Sequence, residues 1–205
     1  MAKPAANQLG LFEAPPPSGL PEGFVYRRDF LSGEEERAIA GELAKLPFEP
    51  FQFRGYEARR RVHSFGYRYD FNAQKLEAAD PIPAWLQPVR ERAEAFASVG
   101  PGALQQLLIN EYLPGAPIGW HRDRPQFGKV VGISVGAPCI FRLRRRVGKG
   151  FERASLTLEP RSAYLISGAA REQWEHSIPP VDAHRYSITF RSFRSSPPRE
   201  AGGRG

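Results

Sequence analysis

Apolar side chains recur along this chain with two different periods, and the change from one to the other divides it. Ile39, Leu43 and Leu46 follow one another at steps of four and three residues, the spacing that puts side chains on one face of a helix. Ser32 stands three residues before Glu35 in a capping-box pattern, and Pro47 closes the run. A helix is therefore predicted over about residues 34–46. Val89, Ala93 and Phe96 predict a second over 86–98. From about Ala103 the period shortens. Residues 104–112, 129–135, 140–143, 154–158, 163–166 and 186–193 read as strands, separated by Gly and Pro. Many short strands with frequent turn signals predict a sandwich or barrel, of which a jelly roll is one solution. The expected fold is mainly β with flanking helices.

The two predicted helices bracket a different kind of segment. Residues 51–71 are rich in arginine and aromatics, and Tyr67-Arg68-Tyr69-Asp70-Phe71 alternates as a strand does. A half-buried hairpin fits. So does a flap that stacks bases on its rings and holds phosphates with its arginines. Spacing alone does not choose between them. At the ends, Pro15-Pro16-Pro17-Ser18-Gly19 marks residues 1–22 as a flexible leader, and residues from Ser195 read as a flexible tail. The expected domain is 23–194, with helices and flap over 23–103 and a β core over 104–194. No internal repeat is visible.

Charge sharpens this picture. The net charge is +7 and the pI about 9.8. Much of it stands in arginine runs, Arg59-Arg60-Arg61 and Arg142 with Arg144-Arg145-Arg146. Guanidinium forks suit phosphate oxygens in geometry as well as charge, so a nucleic-acid face and a solvated basic surface both fit. Cys139 is the one cysteine, which excludes an internal disulfide and fits a reducing compartment. It sits in the apolar run 137–141 and reads as a buried structural thiol. No apolar stretch approaches the roughly 20 residues of a membrane span. The start, Met1-Ala2-Lys3-Pro4, lacks the apolar core of a signal peptide. A soluble cytoplasmic monomer is expected.

The chemistry centres on His121-Arg122-Asp123. On a strand, residues two apart share a face, so His121 and Asp123 can aim at one ion. A single His-x-Asp is weak by itself, and a further imidazole must come from His176, His184 or His63. His176 is preferred, because it follows an apolar strand (Tyr164-Leu165-Ile166) and a turn at Gly168. Two imidazoles and one carboxylate suit a mononuclear Fe(II) with open positions. Downstream, Arg185, Ser187, Thr189 and Arg191 share one face of a period-two run. Arginines on an inward face are costly unless paired. Internal ion pairs would satisfy them, and so would an anionic dicarboxylate.

From Leu107 to Phe193 the chain resembles the AlkB family of Fe(II)/2-oxoglutarate-dependent dioxygenases. The matching text is Asn110-Glu111-Tyr112, Gly115, Ile118-Gly119-Trp120-His121-Arg122-Asp123, Ile133-Ser134-Val135-Gly136, Phe141-Arg142, Trp174-Glu175-His176-Ser177-Ile178-Pro179, and Arg185 through Arg191. The resemblance covers nearly half the chain and implies a double-stranded β-helix with N-terminal helices and a substrate-binding flap. It assigns His121, Asp123 and His176 to Fe(II). It gives Arg185 to the distal carboxylate of 2-oxoglutarate, Asn110 and Tyr112 to hydrogen bonds with that cosubstrate, and Arg191 to a place near its metal-bound carboxylate. Ser134 and Gly136 read as core strand and turn positions outside the site, and Trp120 and Trp174 as packing around the metal.

The implied reaction is oxidative dealkylation of DNA or RNA bases. O2 and 2-oxoglutarate are consumed, succinate forms, and a methyl group leaves as formaldehyde. A base in a duplex must be flipped out to be reached. Arg61, Phe65 and Tyr67 of the flap are the expected substrate contacts. One departure stands out: several nucleic-acid-repair members carry a carboxylate shortly after His-x-Asp that contacts the base, whereas Arg124-Pro125 stand here. The same chemistry on tRNA or a protein side chain is the first alternative, and a non-catalytic nucleic-acid-binding jelly roll the second.

Overall fold

A computed structural model describes residues 19–53, 56–70 and 75–195. The leader up to Ser18, the tail beyond Ser195 and Phe71 of the flap lie outside the described residues. The elements run β1 (Phe24–Arg27), α1 (Gly33–Leu43), β2 (Glu49–Phe53), β3 (Tyr56–Phe65), β4 (Tyr67–Asp70), β5 (Lys75–Ala78) and α2 (Gln87–Phe96). The second half adds β6 (Leu104–Tyr112), β7 (Ile118–His121), β8 (Phe127–Gly136), β9 (Cys139–Val147), β10 (Gly150–Leu158), β11 (Ala163–Ile166), α3 (Gly168–Gln173), β12 (Glu175–Ile178) and β13 (Arg185–Phe193).

The strands form a major sheet in the order β1-β11-β8-β13-β6-β3-β2, a minor sheet in the order β10-β9-β12-β7, and a separate β4-β5 hairpin. Neighbours in sequence are seldom neighbours in a sheet, which is the jelly-roll arrangement predicted from the strand pattern and the resemblance. Two apolar clusters explain the layering. Tyr186, Ile188 and Phe190 of β13 bury one face of the major sheet under Ile39 and Leu43 of α1 and Val89 and Ala93 of α2. Phe141 and Leu143 of β9 and Leu156 and Leu158 of β10 line the inside of the minor sheet and meet Tyr112, Tyr164 and Trp174. Each fully buried Leu, Ile or Phe contributes roughly 1.5–3 kcal/mol. Helices cover one side of the major sheet, leaving the other to face the minor sheet.

The helices begin where the sequence signals do. Ser32 Oγ accepts from the Glu35 amide at 3.1 Å, and a Glu35 carboxylate oxygen accepts from the Ser32 amide at 2.8 Å. α1 stops earlier than the apolar spacing suggests: Ala44 caps it and Leu46 packs from a turn. The second helix starts as a 3-10 turn over Ala84–Leu86. Leu20 is packed against the minor-sheet core, and the Ala170 amide donates to the Glu22 carbonyl. The last residues of the expected leader are thus already part of the fold, because Leu20 and Pro21 cover apolar surface. Cys139 is buried, as expected, and burial pushes its thiol pKa up. Among the described residues no helix is long and apolar enough to cross a membrane.

Candidate active site

The register of β12 against β7 sets His176 directly opposite His121. Their ring centroids are 4.2 Å apart. The His121 Nδ1 lies 2.9 Å from the Gly119 carbonyl. A carbonyl only accepts, so the proton belongs on Nδ1 and the lone pair on Nε2 is left for a ligand. Asp123 lies just beyond β7 rather than on it. The strand ends at His121, the Arg122 side chain turns away to donate to the Glu172 carbonyl at 2.8 Å, and Pro125 has no amide with which to continue a ladder. Arg171 of α3 pins the segment that follows by donating to the carbonyls of Arg124, Phe127 and Gly128.

The Asp123 carboxylate is shared between two neighbours. Its Oδ1 accepts from Arg191 Nε at 2.7 Å, and its Oδ2 lies 3.8 Å from His176 Nε2. Burial alone would raise its pKa. The charge of Arg191, helped by the two histidines, outweighs burial and holds the carboxyl well below the usual range. His176 moves the other way for a base: burial, with His121 beside it, drives its pKa down to about 3. Burial also lowers that of His121. The arrangement is an ionised carboxylate beside two neutral imidazoles, the protonation states that metal binding requires. Among the described residues no three His, Cys, Asp or Glu side chains are yet placed so as to hold an ion together. His121, Asp123 and His176 are neighbours, with Asp123 also engaged by Arg191.

β13 carries its polar face into the same space. Among the described residues Arg185 is the largest fully buried side chain, and only its Nη2 is satisfied by them, through Ser134 Oγ at 3.0 Å. Its Nε and Nη1 have no partner. Tyr112 lies beside it, with the guanidinium 5.0 Å from the ring centroid. The internal ion pair that would have explained this arginine is absent among the described residues. Arg191 also donates to Gln106 Oε1 at 2.9 Å, and Ser187 and Thr189 bond each other between the two arginines at 3.3 Å.

Several expectations need correction. Ser134, read as a plain core position, is the Arg185 partner. Trp120 does not pack around the histidines: it lies under Arg142 and Arg144 on the outer side of the minor sheet. Arg61 and Phe65 pair with Glu111 and Leu107 on the face of the major sheet turned away from the histidines. Phe65 is buried in the helix-side core, and Arg61 forms an ion pair with Glu111. Their neighbour Arg60 has the opposite parity and is the one that enters the site. It is buried, and its Nε donates to Asn110 Oδ1 at 3.2 Å. Tyr67 packs edge-on against Phe193. The two other histidines are occupied elsewhere: His184 with Glu111 at 3.1 Å, and His63 against Phe65.

The model of the 2OG-Fe(II) oxygenase superfamily matches residues 23–191. This chain belongs to that superfamily, in its AlkB family. A bovine mitochondrial relative, alpha-ketoglutarate-dependent dioxygenase alkB homolog 7, is 30% identical over 166 residues, covering 78% of this chain and 69% of that protein. The Arabidopsis thaliana alkylated DNA repair protein ALKBH8 homolog is 27% identical over 68% of this chain, and the chain spans about half (51%) of its length. The solved structure of OsALKBH1 shares the fold, with a TM-score of 0.66 at 16% identity, covering 84% of this chain and 99% of that one. The family uses Fe(II), 2-oxoglutarate and O2. The residues of this AlkB-family chain fit those groups. Arg185 offers two unpaired buried donors to a carboxylate, and the two imidazoles and Asp123 are the donor set that Fe(II) accepts.

Proposed function

We propose that this chain oxidatively removes alkyl groups from nitrogen atoms of nucleic-acid bases, with His121, Asp123 and His176 holding Fe(II) and Arg185 holding the distal carboxylate of 2-oxoglutarate. The observation that carries the cosubstrate assignment is the unpaired guanidinium of Arg185, buried between Tyr112 and Ser134. A buried cation with two donors unsatisfied is costly, and a dicarboxylate supplies what it lacks. Asn110 and Tyr112, on the inner face of β6, are the polar groups that would orient the cosubstrate. When bound, Fe(II) supplies O2 activation coupled to 2-oxoglutarate decarboxylation.

The residues have separate tasks. His121 and His176, neutral through physiological pH, keep lone pairs available. Arg191 fixes Asp123 Oδ1 and leaves Oδ2 turned toward His176. Phe141, Tyr164 and Leu143 form the apolar wall that keeps water from the reacting carbon. Per turnover one O2 and one 2-oxoglutarate give succinate, CO2 and a hydroxylated alkyl carbon. That carbon then leaves as an aldehyde, formaldehyde from a methyl group, while the base nitrogen recovers its proton.

The nucleic-acid substrate is supported by the net charge of +7, and by relatives named for DNA repair and for tRNA methylation. The test reconstitutes the protein with Fe(II) under anaerobic conditions, then adds O2, 2-oxoglutarate and methylated single-stranded DNA or RNA. Succinate and intact methyl groups are followed by mass spectrometry, with His176→Ala alongside. Methyl loss that disappears in the variant is the expected result. Succinate without methyl loss from any nucleic acid would reject the substrate class, and no succinate at all would reject the enzyme.

A further inference from the structure

The arginine run at 142–146 is not used by the site. On β9 the side chains alternate: Phe141 and Leu143 point into the minor-sheet core, whereas Arg142, Arg144 and Arg146 stand on the outer face. The β9–β10 register places Arg153 directly across from Arg144, and Phe151 across from Arg146. Like charges set opposite each other in a sheet destabilise it. One carboxylate offsets them, Glu175, 2.7 Å from Arg144 Nε. The hairpin's own acid, Glu152, is spent on Arg145. The excess positive charge on this face therefore has no counterpart among the described residues.

Two aromatic rings organise these guanidiniums. Trp120 carries Arg142 and Arg144 at 5.1 and 4.4 Å from its ring. Phe151 carries Arg144, Arg146 and Arg153 at 4.5, 5.8 and 5.5 Å. Stacking on rings fixes the planes of the arginines: Arg142 and Arg144 donate from Nε to Ser177 and Glu175, while Arg146 and Arg153, both exposed, present N–H edges that can meet oxygen atoms. Two of the five exposed large hydrophobic side chains among the described residues, Ile140 and Phe151, stand on this same outer face. An exposed aromatic ring set among cations is the composition that single-stranded nucleic acid meets with bases and phosphates together.

The strip crosses the whole minor sheet, from Trp120 on edge strand β7 to Phe151 and Arg153 on β10. Three strand spacings make about 14 Å, room for a few nucleotides. β7 carries His121 on its inner side and β12 carries His176, so a polynucleotide leaving the site over the β7 edge reaches the strip at once.

We propose that the outer face of the minor sheet is a second nucleic-acid surface. It takes a single-stranded segment flanking the target, with phosphates on Arg146 and Arg153 and a base stacked on Phe151. It rests on the reading of the substrate as nucleic acid.

The test is equilibrium binding of an unmodified labelled oligonucleotide of about 16 nucleotides, followed by fluorescence anisotropy between about 50 and 200 mM salt. The full-length wild type is compared with Arg146→Gln/Arg153→Gln and with Phe151→Ala. Each lost phosphate contact lowers the salt slope by about 0.7 on a single strand, so the double variant is expected to lose about 1.4. Phe151→Ala is expected to weaken binding about fivefold or more at an unchanged slope. All three proteins should form succinate from 2-oxoglutarate alike, which separates this surface from the site. Wild-type affinity and slope in both variants would overturn the surface while leaving the catalytic reading intact. Loss of binding in the variants alongside a failure of methyl removal would retain the surface and remove the dealkylation reading. Binding of a polyglutamate peptide in place of the oligonucleotide would also overturn the proposal, by giving the strip to an acidic protein.

Discussion

Arg191 holds Asp123 by one oxygen only. Its Nε and Nη2 both lie 2.7 Å from Oδ1, leaving Oδ2 turned to His176 Nε2 at 3.8 Å. An arginine that grips one edge of a carboxylate fixes the direction of the other. Both side chains are under a tenth exposed, so removing either leaves a buried charge without its partner.

Arg191→Ala is therefore expected to destabilise the metal-free protein by about 3–5 kcal/mol. Arg191→Lys should recover part of that loss, because it keeps the charge without the fork. Urea unfolding of the three proteins measures this. An alanine variant with the wild-type midpoint would show that Asp123 does not depend on Arg191.

Arg185 poses the opposite case. Its Nε and Nη1 have no partner, so the metal-free chain gains little from the charge. Arg185→Met keeps the bulk and removes the buried cation, and its unfolding midpoint should be no lower than wild type. Function should suffer instead. Two charge-assisted hydrogen bonds at about 1.5–3 kcal/mol each put the rise in the 2-oxoglutarate KM on the order of 100-fold or more. Added 2-oxoglutarate should raise the wild-type Tm and leave that of the variant unmoved. An unchanged KM would assign the carboxylate to another residue.

What the sequence discloses about this site follows a physical line. β13 was legible because period two along one strand sorts Arg185 and Arg191 from Tyr186, Ile188 and Phe190 without knowledge of any neighbour. The Ser32–Glu35 capping box was legible for the same local reason. On β3 the arginine-aromatic flavour was visible but its parity was not. A one-residue shift of register exchanges the faces of a strand, which is why Arg61 and Phe65 were expected where Arg60 stands. Ser134, Gln106 and Arg171 act through partners 43 to 85 residues away in the chain, and no local pattern reports such pairings. Trp120 stands next to His121 on β7, and alternation sends it to the outer face because His121 faces in.

Gly132 is expected to be intolerant of even one added carbon. A Cβ there would overlap the ring of Tyr164, which lies across the β8 backbone beside the site. Both neighbours are packed in the interior, so Gly132→Ala forces the ring aside at a cost of about 1–3 kcal/mol. The same substitution should cost much less in a Tyr164→Ala background, since the two residues share one space. A double-mutant cycle on thermal unfolding checks this. Additive effects would mean that the ring is not what excludes the methyl group.

The pH dependence of the metal-free protein follows from His176. In the folded chain burial, with His121 beside it, lowers its pKa to about 3, against an ordinary 6.5. Between those values the unfolded chain takes up a proton that the folded chain refuses. Protons therefore favour unfolding: the stability contributed by neutral His176 is complete above about pH 6.5, falls steadily on acidification, and is gone by about pH 3. For one such site the slope is at most about 1.4 kcal/mol per pH unit. Asp123 acts in the same direction at lower pH, since its depressed pKa adds stability that disappears only as the folded carboxylate takes its proton. Urea unfolding of the metal-free wild type at about pH 7.5, 6 and 5 should show the fall, and His176→Gln, which has no imidazole to charge, should show a flatter curve. Parallel curves for the two proteins would mean that His176 titrates normally in the folded chain, and that its burial beside His121 does not keep it neutral for a metal.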